Sequence, residues 1–412
     1  MIIVGAGAAG LATAIFTGRS SRARVLLVDG AARPGAKIVV SGGSRCNVTN
    51  AVVTEHDYWG GRRTIIRRVL ARLPVAQTIR FFEEIGVPLK EEPGGKLFPQ
   101  SDRSRDVLDG LLAAVRDADV TLSAATRVLE VTREPDGFCV HTSRGPLRAT
   151  AVVMATGGLS LPRSGSDGAG LAIAARLGHT IVPTTPALAP LLLRGGFNAS
   201  VSGVSQDVDL ALRVDDRIVD RIAGAMLWTH FGISGPAALD LSRHVLRARL
   251  AGRRVLVTAN FQPGQTFEQV DASWARFATS RPKLTLEKAL GDVLPASVAA
   301  ALLLHLALDG GMRLAELTRA ARRALAHALT ELPIDITDSR GYNYAEATAG
   351  GVALDEIDPA TMESRRCPGL YLVGEMLDVD GRLGGFNFQW AWSSAKTAAE
   401  GLTQRFGPRS RG

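Results

Sequence analysis

The chain reads as an α/β protein whose parallel sheet is interrupted by an antiparallel and helical insertion. Three observations carry this reading. The apolar run Ile2-Ile3-Val4 enters Gly5-Ala6-Gly7-Ala8-Ala9-Gly10 and then an alanine-rich, proline-free stretch reaching Thr17. A second apolar run, Val25-Leu26-Leu27-Val28, ends in Asp29, nineteen residues after Gly10. Farther on, Val208 to Val214, and then Val255, Val257, Ala259 and Phe261, alternate with period two, the pattern of half-buried antiparallel strands.

Strand, G-x-G-x-x-G, helix, strand and acid in this order form a dinucleotide-binding fingerprint. Gly5 allows the tight turn, Gly7 lets the backbone approach a pyrophosphate, and Gly10 lets the helix pack on the strand. A helix beginning at Ala8 presents unpaired N–H groups and a partial positive charge to phosphates. The Asp29 carboxylate can then accept hydrogen bonds from a ribose.

The remaining elements follow in order. A long glycine-rich loop runs to residue 50. Ile65, Ile66, Val69, Leu70 and Leu73 give residues 62–90 a helical period, and residues 105–118 read as another helix. From Val120 to Thr156 short strands alternate, with a turn at Pro135-Asp136-Gly137, and end in the buried strand Ala151-Val152-Val153-Met154-Ala155. The proline-rich stretch Pro183 to Pro190 marks a domain crossing. Residues 190–337 read as an inserted unit, strands first and then helices. Leu314, Leu317, Ala321, Leu325 and Leu329 form one helical stripe that Pro333 stops. Residues 1–189 and 338–412 form the discontinuous first domain.

Composition narrows the function classes. The 412 residues are 46% hydrophobic, enough for a substantial core. Net charge is +8, which invites a nucleic-acid reading. Acids are interspersed with the bases, however. Arg62-Arg63 to Arg67-Arg68 and Arg319 to Arg323 read as solvated helix faces, and Arg405 to Arg411 as a frayed tail, so nucleic acid is not the expected partner. Cys46, Cys139 and Cys367 are odd in number and far apart, which fits a reducing cytoplasm without disulfides. No apolar run reaches the roughly 20 residues of a membrane span. The histidines lack metal-ligand spacing, and no metal is expected.

Two further clusters carry chemistry. Gly35 to Asn50 concentrates Gly, Ser, Asn and Thr, whose backbone amides and short polar side chains suit a polar heterocycle or pyrophosphate. Near the end, Leu370-Tyr371-Leu372-Val373 runs into Gly374-Glu375, and a helix begins near Asn387, repeating the strand–glycine–helix geometry.

Ala155-Thr156-Gly157-Gly158 and Gly374-Glu375 with Asp378 resemble the second and third FAD motifs of the glutathione-reductase-type flavoprotein superfamily. Lys37-Ile38, Ser41-Gly42-Gly43, Arg45-Cys46-Asn47, Thr49-Asn50, Phe98-Pro99, Thr229 to Pro236, Thr348 to Val352, and Gly384-Gly385 with Asn387 are narrower. Together they resemble the bacterial NAD(P)/FAD-dependent oxidoreductases related to dehydro-bile-acid reductase and aminoacetone oxidase, over nearly the whole chain. Two departures stand out: Ser44 where that family usually has glycine, and Asp29 in place of the commoner glutamate.

The resemblance implies a discontinuous Rossmann-like FAD domain with an inserted antiparallel β plus helical domain. It implies non-covalent FAD held by Gly5, Gly7, Ala8, Ala9, Gly10, Asp29, Gly30, Lys37, Ser41, Gly42, Arg45, Cys46, Asn47, Thr49, Asn50, Val128, Ala155, Thr156, Gly157, Gly374, Glu375, Asp378, Gly384, Gly385, Asn387 and Phe388. With no second G-x-G-x-x-G, NAD(P)H would visit transiently. Arg45 either offsets charge on a reduced flavin or forms a structural ion pair. Cys46 either touches the flavin or packs as a small hydrophobe. His230 is the candidate proton donor, its alternative being a hydrogen-bonded structural histidine. The expected function is an FAD-dependent oxidoreductase of a small or medium organic substrate, with NAD(P)H or dioxygen as redox partner. A flavin-binding sensor without turnover and a flavin-dependent RNA-modifying enzyme are the rivals.

Overall fold

In a computed structural model of the chain, residues 1–409 are described. Two compact units are present, one of Met1–Pro186 with the chain from Ala345 onward, the other of Ala187–Tyr344. Residues 338–344 stay with the second unit because strand Ile336–Ser339 pairs there with Leu191–Leu193.

The first unit is built on a five-stranded parallel sheet in the order Leu370–Leu372, Val152–Met154, Ile2–Val4, Leu26–Val28, Thr121–Ser123. Ile2 stands opposite both Val152 and Leu26, so the fingerprint strand lies at the centre. The strands Ile2–Val4, Val152–Met154 and Leu370–Leu372 are buried throughout, as a parallel sheet covered on both faces requires. Helices Ala8–Ser20 and Phe386–Phe406 pack together, with Leu11, Ile15, Trp390 and Trp392 in one apolar core. The expected helix over 62–90 is two, Arg63–Leu70 and Val75–Glu84, with Pro74 opening the second.

Three expectations are corrected here. The long glycine-rich loop contains a helix, Ala36–Ser44, kinked by non-helical angles at Ser41, Gly42 and Gly43, because buried Ile38 anchors its first turn. The Arg405–Arg411 stretch is not frayed where it is described. The last helix runs through Phe406, Arg405 pairs with Glu363, and Arg409 pairs with Asp119. Arg411 lies outside the described residues. Finally, Pro333 does not stop the helical stripe. That helix, Arg319–Glu331, begins after Leu314 and Leu317 and ends before Leu332, while Pro333 sits in strand Leu332–Ile334. The strand is at a sheet edge, where proline's missing N–H costs no ladder bond.

The second unit carries a seven-stranded sheet, in the order Leu332–Ile334, Val255–Asn260, Ser205–Val214, Arg217–Thr229, Gly232–Ser234, Leu191–Leu193, Ile336–Ser339. The strands at its two ends are separated in sequence only by Asp335. In a flat sheet they would stand about 29 Å apart at ~4.8 Å per strand. Two peptide steps reach about 7 Å at most. The sheet therefore curls until its ends meet, and helix Pro236–Leu250 packs against its strands through Ala237, Ala238, Leu241 and Val245. The insertion is thus not strands followed by helices: two strands return after the helices and close the curl.

Candidate functional site

Three fingerprint glycines have different physical reasons. Gly5 has φ +100°, and a Cβ there would lie 2.5 Å from the Ala155 carbonyl oxygen. A Cβ on Gly10 would fall 1.8 Å from the Gly5 oxygen. Both are fixed by the protein's own packing. Gly7 is different: its backbone is extended, and a Cβ would meet nothing within 4 Å. Its missing side chain leaves an open cradle at the start of helix Ala8–Ser20, whose N-terminus no side chain caps. Asp29 closes the turn from below, accepting from Ala6 N at 2.6 Å and from Ala31 N at 2.7 Å. The third motif meets this cradle directly, since a Cβ on Gly374 would lie 2.7 Å from Ala9 Cβ. Gly374 is held by Ser394 Oγ, which accepts from its amide, and by Trp390 Nε1, which donates to its carbonyl.

The kinked end of helix Ala36–Ser44 and the residues just after it need left-handed backbone repeatedly, at Gly42, Gly43, Ser44 and Cys46. The serine that departs from the family pattern thus occupies φ +68°, where a Cβ costs about 1–2 kcal/mol. Arg45 donates to Glu92 at 2.7 Å and Asp102 at 3.3 Å and lies over the Phe98 ring, while Lys90 also pairs with Asp102. Its charge is already met by two carboxylates. Cys46 is fully buried, and burial pushes its thiol up to about 12, so it is protonated and unreactive. Thr49 donates to Gln389 Oε1 at 2.6 Å, and Asn50 donates to the Gly384 carbonyl, which ties this loop to the start of helix Phe386–Phe406. A Cβ on Gly385 would strike the Thr49 backbone at 2.5 Å. Asn387 closes on Gly381 through both amide atoms, and Phe388 stacks on Trp392.

Lys37 and Glu375, 338 positions apart, meet at 2.5 Å. Glu375 also accepts from Ser160 Oγ and Thr348 N, and Lys37 donates to Ser160 Oγ. Thr348 Oγ1 accepts in turn from the amides of Leu159 and Ser160. Sequence reading misses Ser160, Glu92 and Asp102. The only signal for the network was Thr348, inside a noted motif. Two buried oxygens beside these segments, Asn47 Oδ1 and Thr156 Oγ1, have no hydrogen-bond partner among the described residues. Gly30 lies against Arg127, and Val128 is buried at the start of its strand. Asp378 donates its amide to the Val352 carbonyl.

His230 belongs to the second unit, in the turn between strands Arg217–Thr229 and Gly232–Ser234, and is exposed. Ser364, His179 and Glu356 align as a nucleophilic triad would, with Oγ to Nε2 at 2.8 Å and Nδ1 to Glu356 at 3.0 Å. All three are buried, and the Ser364 oxygen accepts from the amides of Arg366 and Cys367. Here the constellation is a strut within the first unit. Among the described residues, no group of three or more His, Cys, Asp or Glu could hold a metal, and no helix is long and apolar enough to cross a membrane.

An open cradle at an uncapped helix start, an acid at the end of the second strand, and orphaned oxygens nearby fit a bound dinucleotide. The model of the HI0933-like protein Rossmann domain matches residues 1–401. The chain belongs to the HI0933-like family. Its members are FAD-binding Rossmann proteins, and this HI0933-like protein is a flavin-dependent oxidoreductase with non-covalent FAD. It is 32% identical over 404 residues to the 3-dehydro-bile acid delta(4,6)-reductase of Clostridium scindens, covering 98% of each chain. It is 34% identical over 406 residues to the ribosomal RNA dihydrouridine synthase of Escherichia coli, covering 97% of each. Among solved structures, it resembles a 3-ketosteroid delta1-dehydrogenase from Sterolibacterium denitrificans with a TM-score of 0.51 at 13% identity, covering 98% of this chain and 99% of that one. It resembles E. coli quinol fumarate reductase FrdA with a TM-score of 0.52 at 17% identity, covering 100% and 71%. These two likenesses concern the fold.

Proposed function

We propose that this protein reduces a carbon–carbon double bond conjugated to a carbonyl, using NAD(P)H as electron source. The observation that carries the reading is the chemistry shared by its two relatives. A delta(4,6)-reductase of a 3-dehydro-bile acid and a dihydrouridine synthase are each named for saturating such a bond, in a steroid ring and in uracil. In balanced form, the double bond gains hydride at the carbon remote from the carbonyl and a proton at the adjacent carbon, while NAD(P)H becomes NAD(P)⁺. Bound FAD would supply two-electron hydride chemistry to this site.

The protein's own residues bind and orient. The amides of Ala8, Ala9 and Gly10 would take the pyrophosphate of FAD at open Gly7, and Asp29 would take the ribose through its remaining lone pairs. The Ser41–Asn50 loop and the start of helix Phe386–Phe406, tied together through Thr49, Asn50 and Gln389, form the walls for the ring system. The Lys37–Glu375 pair fixes the Gly35–Asn50 segment to the third motif. His230 is the group we assign to proton delivery, since its ring is exposed on a turn held by Asn198.

A uracil within RNA is a second substrate reading. It is favoured by a further relative, the ribosomal RNA dihydrouridine synthase of Haemophilus influenzae, 30% identical over 414 residues. The test is anaerobic absorbance of the holoprotein with NADPH and, separately, NADH. It is followed by reoxidation with a 3-oxo-4-ene steroid, free uridine or uridine-containing RNA. Bleaching by a nicotinamide and recovery with a conjugated substrate is expected. Recovery only with dioxygen would overturn the reductase reading.

A further inference from the structure

The motif Thr229-His230-Phe231-Gly232-Ile233-Ser234-Gly235-Pro236 is only partly used by the reading above. Within the second unit, the Arg340 guanidinium lies 3.5 Å from the Tyr344 ring centroid and 4.3 Å from that of Phe231. Arg340 has no carboxylate partner among the described residues, although many other arginines of the chain do. Nearby Asp335 pairs with Arg194, and Asp338 accepts from the Ser339 amide. Two aromatic faces, rather than an anion, therefore hold this cation.

The backbone beneath is fixed. Asn198, only 3% exposed, donates to the carbonyls of both Thr229 and His230. The Phe231 carbonyl accepts from Leu193 N, and Gly232 sits where a Cβ would lie 2.1 Å from the Leu191 oxygen. On the other side, Arg340 N donates to Pro190 O, and the turn at Gly341, with φ +72°, is closed by Tyr344 N donating to Gly341 O. Upon this rigid base Tyr344 is 51% exposed, with Arg340 over one face of its ring. An exposed aromatic face beside a guanidinium lacking its counter-ion matches a planar base with its phosphate. A neutral steroid would leave the cation unmet.

We propose that Phe231, Arg340 and Tyr344 form a nucleotide-stacking site on the second unit, where Tyr344 stacks a base and Arg340 meets its phosphate. This deepens the proposed function and rests on it, because both the reductant and the RNA substrate considered there are nucleotides. The two sources share one ligand chemistry.

The experiment measures binding of NADPH, NADH and a short fluorescein-labelled, uridine-containing single-stranded RNA to the holoprotein and to its Tyr344→Ala and Tyr344→Phe variants. Loss of a stacking face raises Kd about 5- to 150-fold for the probe that uses the site, whereas Tyr344→Phe stays within about twofold. A loss confined to the nicotinamide probes identifies the reductant's site, and one confined to RNA identifies the substrate strand. Arg340→Gln lowers the salt dependence of that probe by about one phosphate contact. Unchanged FAD content and thermal midpoint verify that the variants are folded. Wild-type binding unaltered in Tyr344→Ala, or no binding of any probe, overturns the site. Reduction of a 3-oxo-4-ene steroid by dithionite-reduced holoprotein needs no added nucleotide, so it tests the proposed function separately.

Discussion

Replacing Gly7 by valine separates cofactor binding from folding. The Gly7 backbone has φ −84° and ψ −168°, an extended conformation open to any residue, and the new Cβ meets no atom within 4 Å beyond those of its chain neighbours. The folding cost is confined to a poorer N-cap, about 1 kcal/mol, or about 2–4 °C in Tm for a domain of this size. The same side chain occupies the cradle. Displacing a phosphate by one side chain costs about 1–3 kcal/mol in overlap, and each charge-assisted bond lost to a helix amide removes a further ~1.5–3 kcal/mol. Together these weaken FAD binding roughly 10²- to 10⁴-fold. The assay is the flavin-to-protein absorbance ratio after purification, with Kd from fluorescence titration of apoprotein and Tm of both apoproteins. Gly10→Ala is the contrasting variant, because its Cβ lands on the Gly5 carbonyl and it fails to fold. Full flavin occupancy and unaltered affinity in Gly7→Val would refute the placement of the pyrophosphate at this helix.

Ser44→Gly relieves a left-handed position and raises stability by about 0.5–1 kcal/mol after the entropy cost of glycine, measurable by calorimetry. Lys37→Met leaves Glu375 without its cation. It lowers stability by about 1–3 kcal/mol, and a double-mutant cycle with Glu375→Gln yields a nonzero coupling energy from denaturant midpoints. The His179–Glu356 strut makes the fold acid-sensitive in two stages. Burial holds His179 below its ordinary 6.5, so below that pH the unfolded chain takes up a proton the folded one resists, and Tm begins to fall. Hydrogen bonds from Thr180, His179 and Arg366 outweigh the opposing effect of burial and hold Glu356 at about 2 against an ordinary 4.5. Its contribution is complete above 4.5 and disappears as pH falls toward 2. His179→Gln removes the first stage alone in a Tm-against-pH series.

The parts of the site legible in the sequence are those where local backbone geometry dictates residue type. Gly5 and Gly10 stand where any Cβ collides with the main chain, and Asp29 stands at a fixed distance along one βαβ unit. The Lys37–Glu375 pair left no such mark, because its partners approach through tertiary packing across 338 positions and no local period encodes that. The kinked helix Ala36–Ser44 has the composition of a loop because of Gly42-Gly43, while a single buried residue, Ile38, decides its first turn. Pro333 misled for a related reason. Its missing N–H ends a helix and suits a sheet edge equally well, and the choice was made by the partner strand Val255–Asn260. The orientation of Arg45 depended on Glu92 and Asp102, distant carboxylates with nothing in their spacing to announce them.

The central sheet has a consequence for how the protein is made. Its strand Leu370–Leu372 leaves the ribosome about 340 residues after Leu26–Val28, a delay of roughly 20–70 s at ordinary elongation rates. Throughout that interval Val152–Met154 lacks its outer neighbour, and helix Ala8–Ser20 lacks Phe386–Phe406 to cover it. The curled sheet of residues 187–344 has its last strand, Ile336–Ser339, about 30 residues earlier, roughly 2–6 s at the same rates. The nascent chain thus has a finished passenger while its cofactor-binding half still exposes apolar surface, and a stall after Tyr344 would leave that half a client for chaperones or proteases.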